Sequence, residues 1–173
     1  MATTLRRFLP ALVATVLIQA PLPAQVATAW ANCKQDALSL FNCASYYSGT
    51  VTRASDLTGP SFHQTETVTA TVTAGKVTCR TRSSENGDFE GPGLVAVTHK
   101  NTANAGGYEI EVYCPEGPGE QASRDGGPSL EVRDQTAADY ATLEGRDSYE
   151  HSDADAANGV AGTQTITWNL RRN

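Results

Sequence analysis

A chain of 173 residues, 39% of them hydrophobic, is about one domain's worth of polypeptide and long enough to bury a core. Its 13 Lys+Arg against 19 Asp+Glu give a net charge of −6. Nucleic acid and an anionic membrane surface are thereby excluded as expected partners, because either demands an excess of basic side chains. A basic partner or a cation remains compatible with this balance, although acidic surfaces also serve solubility alone.

Arg6 and Arg7 precede a stretch from Phe8 to Leu22 that is apolar apart from Gln19, and Ala29-Trp30-Ala31 follows. A basic start, an apolar middle and a small-x-small site read as a secretory signal peptide over residues 1–31, cleaved between Ala31 and Asn32. Pro10, Pro21 and Pro23 break the run short of the roughly 20 apolar residues that a spanning helix needs. No stable membrane insertion of the mature chain is therefore expected, and a periplasmic or secreted location is. Cleavage removes two arginines and no acid, which moves the charge from −6 to −8 over a single domain, residues 32–173.

Cys33 and Cys43 come next, separated by a weakly helical stretch from Asp36 to Phe41. With Cys79 and Cys114 they make four cysteines, all in the exported part. An even count in an oxidising compartment predicts two disulfides, and no close Cys-x-x-Cys pair supports zinc. Cys79 shares a strand face with Val77, and Cys114 one with Tyr108, Ile110 and Val112, so these two can close inside a core. Cys33 and Cys43 then pair locally. Ten residues of straight helix would hold them about 15 Å apart, so that pairing needs the helix to end early.

Strands follow one another from there. Tyr46 to Arg53 is the first and Gly59-Pro60 lies in the loop after it. His63 to Thr73 alternates Val68, Ala70 and Val72 with threonines, the pattern of a half-buried strand. Ala74-Gly75 turns it into Lys76–Arg82. Ser84 to Gly93 reads as a loop because of Asn86-Gly87 and Gly91-Pro92-Gly93. Leu94–His99 and Tyr108–Cys114 are strands, and Pro115–Pro128 is a glycine- and proline-rich excursion. Short Leu130–Val132, then Tyr140–Tyr149 and Gly162–Leu170, complete the set. Ile166, Trp168 and Leu170 form an inward row, and Thr163–Leu170 repeats the chemistry of Thr65–Val72. The expected class is all-β: an antiparallel β-sandwich or flattened up-and-down barrel of about seven or eight strands with two disulfides. The alternation of apolar residues with Thr, Lys, Arg and Glu also lacks the apolar outer band of a membrane barrel.

Catalytic signatures are sparse. No Gly-x-Ser-x-Gly occurs, and disulfide-bonded cysteines offer no thiolate. His63, His99 and His151 are not spaced as metal ligands and read as lone surface histidines. The densest donor set is Asp153, Asp155 and Asn158, hard oxygen ligands of the kind calcium takes, but not in EF-hand register, since Gln164 stands where the bidentate glutamate belongs. The threonines of 65–73 would project from one strand side as a hydroxyl ladder, interrupted on the next strand by Lys76, Arg80 and Arg82.

The expected function is that of a non-enzymatic binding module for a protein partner, such as a basic enzyme that it inhibits, or for a small ligand. Loops Gly59–His63, Ser84–Gly93 and Pro115–Pro128 would be displayed on a rigid scaffold. An enzyme whose acids or histidines converge only in the fold, and a calcium-binding loop module, are the alternatives.

Overall fold

The structure, a computed structural model, describes residues 33, 42–102, 105–134, 140–151 and 159–173. The expected signal segment, the Asp36–Phe41 stretch and the calcium candidates Asp153, Asp155 and Asn158 lie outside them. A 3-10 turn at Ala44–Tyr46 leads into eight strands: β1 Tyr47–Gly59, β2 Phe62–Thr73, β3 Lys76–Ser83, β4 Gly87–Thr102, β5 Ala105–Tyr113, β6 Leu130–Asp134, β7 Thr142–His151 and β8 Ala161–Arg172. They form one antiparallel sheet in the order β6-β5-β4-β3-β2-β1-β8-β7. No helix among the described residues is long and apolar enough to cross a membrane.

The alternation in the sequence sets which face is buried. In β3 every second residue, Val77, Cys79, Thr81 and Ser83, points inward while Lys76, Thr78, Arg80 and Arg82 face solvent. Antiparallel pairing carries each inward residue into a row across the sheet. Val51 faces Ala70 on β2 and Trp168 on β8, and Ala70 faces Cys79 in turn. The two similar segments noted in the sequence, within β2 and β8, flank β1 on either side and meet the same β1 residues Gly49, Val51 and Arg53. Both strands pack one face inward and leave the other in water, so shared demands account for their likeness.

Curling the sheet on itself creates the core. The fold-over happens within β4, whose first half, Gly87–Gly93, pairs with β3, whereas Leu94–Thr102 pairs with β5. The expected loop Ser84–Gly93 is therefore only the turn at Ser84–Asn86; the rest is strand. Glycine and proline here mark a close approach rather than a loop. A Cβ on Gly93 would lie 2.6 Å from Cys79 Sγ and 2.9 Å from the Tyr113 carbonyl, and one on Gly91 would lie 3.0 Å from Pro115 Cγ. The first strand likewise runs beyond Arg53 to Gly59, because both β2 and β8 continue to pair with it.

Both expected disulfides are present. Cys79–Cys114 staples the end of β5 to β3 with Cα atoms 5.7 Å apart, and Cys33–Cys43, at 5.8 Å, secures the chain ahead of β1. Between the two layers Trp168 is buried with its indole N–H donating to the Tyr108 hydroxyl at 2.7 Å. This bond spans from β8 to β5 and fixes how the two halves of the curl face each other. Burial raises the Tyr108 pKa to about 12, with Asp134 adding to the shift, so the phenol stays neutral as an acceptor.

Candidate functional site

The inward rows do not stop where the core does. Arg53 takes the next inward position on β1 after Val51, opposite Val68 and Ile166, and beyond it Ser55 faces Glu66 and Gln164. On β7 the same parity brings Gly145, Asp147, Tyr149 and His151 inward, opposite Trp168, Ile166, Gln164 and Gly162. The strands β1, β2 and β8, at 12–13 residues, outrun the covering strand β6 at 5. At about 3.3 Å per residue that is roughly 40 Å against roughly 17 Å. An inner face extending past its cover must be hydrated, and there it turns from aliphatic to polar.

Two adjoining lobes of about 270 Å³ each occupy this overhang and share Arg53, Pro128 and Ser129. The first lies between the sheet's two outermost strands, with Leu130 and Glu131 of β6 on one side and Asp147 and Tyr149 of β7 on the other. Glu66, Thr81 and Phe89 line the second, together with Glu116 and Gly126 of the 115–128 loop. Arg53 stands between them. Its two terminal nitrogens donate to the Ser129 carbonyl at 2.7 Å and to Glu66 Oε2 at 2.6 Å, which ties β1 to β2 and to the entry of β6. The Thr81 hydroxyl is buried in the second lobe with no hydrogen-bond partner among the described residues. Asp147 accepts from the Ser148 amide at 2.8 Å. Tyr149, 55% exposed, stacks edge-on against His151 at a ring separation of 4.6 Å.

The histidines take three different positions. His63 Nε2 lies 2.8 Å from Asp56 Oδ1, both on the solvent side of the β1–β2 hairpin and each about three-fifths exposed. His99, expected at the surface, is instead 2% exposed. It continues the inward parity of Val95 and Val97, and its imidazole is accommodated by the Tyr47 hydroxyl at 3.3 Å and by the edge of Tyr140 at 4.4 Å. His151 ends β7 on the inward parity of Tyr149, with its Nε2 buried. The His63–Asp56 contact thus lies outside the cleft.

Of the three expected display loops, Gly59–His63 and the shortened Ser84–Asn86 turn sit at the open end of the sheet, where Phe62 is 39% exposed. Pro115–Pro128 lies beside the cleft and supplies part of its wall. Among the described residues no group of three or more His, Cys, Asp or Glu could hold a metal ion.

The threonine ladder reaches further than the sequence suggested. On the outer face Thr69 pairs with Thr52 on β1, whose other neighbour is Thr167 on β8, and Thr71 pairs with Thr50. A hydroxyl field therefore covers β2, β1 and β8. On its β3 side a depression contains Arg80 and Arg82, paired with Glu90 at 2.9 Å and Asp88 at 3.7 Å.

What the sequence missed is the cleft itself. Its signal was present in the parity: Arg53 and Glu66 occupy inward positions continuous with Val51 and Val68, where an unpaired charge would be expensive and a matched pair is required. Comparison with family models, with curated proteins and with solved structures returned no match to this chain.

Proposed function

We propose that this protein is exported and acts as a disulfide-stabilised, non-enzymatic binding module whose ligand enters the polar cleft around Arg53. The observation that carries the reading is the overhang. A stapled β scaffold extends its inner face beyond the core and holds Arg53, Glu66, Thr81, Asp147 and Tyr149 on it in a concave arrangement. Recognition sites combine concavity with a few polar groups fixed by a rigid frame, and here backbone pairing fixes the strand-borne ones. An enzyme would need a general base brought to a nucleophile or a second carboxylate; the His63–Asp56 pair lies away from the concavity and gives that reading less support.

The test is capture of a partner by the mature, oxidised protein from the medium or periplasm of its source, repeated with Tyr149→Ala and Phe62→Ala. Tyr149→Ala should lose the captured material, and Phe62→Ala, at the hairpin tip beyond the lobes, should retain it. Retention by the Tyr149 variant would remove the cleft from consideration, as would loss caused by Arg80→Ala on the outer face.

A further inference from the structure

The uncompensated charge in the cleft is of one sign. Its guanidinium, Arg53, already uses both terminal nitrogens on Ser129 and Glu66. Apart from the Gln164 amide and the Tyr149 hydroxyl, which donate as well as accept, the groups left over are acceptors. Glu66 has its second carboxylate oxygen, and Glu116 has both of its oxygens, with no hydrogen bond or ion pair among the described residues. Asp147 has the oxygen that Ser148 does not engage. Thr81 adds a hydroxyl buried in the wall of the second lobe without a partner among the described residues, able to donate or accept. Glu131 also lines the cleft but is engaged by Arg133, which it shares with Glu109. After the Arg53–Glu66 and Arg133–Glu131 pairs are set aside, Glu116 and Asp147 remain as uncompensated negative charges, one in each lobe. The exposed ring of Tyr149 sits at the mouth of the first, and aromatic faces attract cations.

Resting on the reading of this cleft as the binding surface, we propose that it receives the guanidinium or ammonium head of an arginine or lysine side chain presented by an extended segment of a partner protein. Such a head is rich in donors, carries no acceptor and bears the complementary charge. Lobe size agrees. About 270 Å³ falls below the roughly 300 Å³ at which pockets for drug-sized molecules begin, and suits one long side chain per lobe. The two lobes adjoin, so alternate residues of one extended strand, which project to the same side about 7 Å apart, can enter both. The net charge of −8 after signal removal would steer a basic partner toward the surface.

The mature, oxidised protein is titrated calorimetrically with acetyl-Gly-Arg-Gly-Arg-Gly-amide, with its citrulline counterpart and with free agmatine. The arginine peptide should bind saturably, at least tenfold more tightly than the citrulline peptide, and progressively less tightly with added salt. Glu116→Gln combined with Asp147→Asn should weaken it at least tenfold without changing the unfolding midpoint by more than a few degrees. Absence of saturable binding, equal binding of the citrulline peptide, or indifference to the double variant overturns the proposal. Agmatine binding as tightly as the peptide would overturn the polypeptide source in favour of a free amine. Should Tyr149→Ala abolish partner capture while no arginine probe binds, the cleft would stand as the binding surface and its cationic ligand would fall.

Discussion

The side chains with the largest structural consequence are those where a polar atom is buried in a core that otherwise contains carbon. Trp168 is one: its indole N–H is satisfied only because Tyr108 reaches across from the opposite layer. Tyr108→Phe would strand that N–H, and a loss of about 1–3 kcal/mol in urea unfolding is expected at neutral pH. The tyrosine also makes stability pH-dependent. Its pKa is about 12 in the folded chain against about 10 in the unfolded one. Between those values the unfolded state has released a proton that the folded state retains, so stability falls as pH rises through that window. The gap between wild type and Tyr108→Phe should accordingly narrow from pH 10 to pH 12, measured by denaturant titration. Gly145 is the companion case. A Cβ there would come within 2.8 Å of the Trp168 indole carbon Cε2, and Gly145→Ala is expected to destabilise by about 1–3 kcal/mol through overpacking. With residues 1–31 removed as proposed, Trp30 goes with them and tryptophan fluorescence would report Trp168 alone.

For the elements, β4 decides the architecture. It belongs to both halves of the curl, and the Cys79–Cys114 bond crosses just where it changes partners. Disulfides that close longer loops restrict the unfolded chain more: 35 residues correspond to about 4 kcal/mol and 10 residues to about 3 kcal/mol in the chain-entropy account. Replacing Cys79 and Cys114 by serine should therefore lower the urea midpoint more than replacing Cys33 and Cys43. Equal effects would mean that the folded environment, not loop closure, sets their worth. Most strands were legible because one face is buried and the other wet, which writes period-two alternation into β2, β3, β5 and β8. The extension of β1 past Arg53 and the first half of β4 were not. In both, the inward row mixes one apolar residue with polar residues or glycines, Leu57 with Ser55 and Gly59 in β1 and Phe89 with Gly87, Gly91 and Gly93 in β4, so the hydrophobic signal is diluted although the backbone pairing continues.

Across the whole molecule, the sheet is open where a barrel would close, and the first lobe of the cleft lies between its two outermost strands. The exported protein is expected to begin at Asn32 and to contain no free thiol, which intact mass with and without alkylation would check. A mass matching the full chain would overturn the cleavage reading, and four alkylated cysteines would overturn the stapled framework.

Composition, parity and cysteine placement pointed to the all-β class, to about seven or eight strands, to the inward faces of β2, β3, β5 and β8 and to two disulfides, whose pairing the structure then fixed. Those properties are local or pairwise: alternation follows from the pleat, and the expected disulfide pairing from where cysteines end apolar faces. Only the tertiary structure decided that β4 folds the sheet over, that His99 is buried, and that Arg53 and Asp147 overlook one cleft. These depend on how far long strands project beyond short ones and on which strands become neighbours across the curl, quantities that no window of sequence contains.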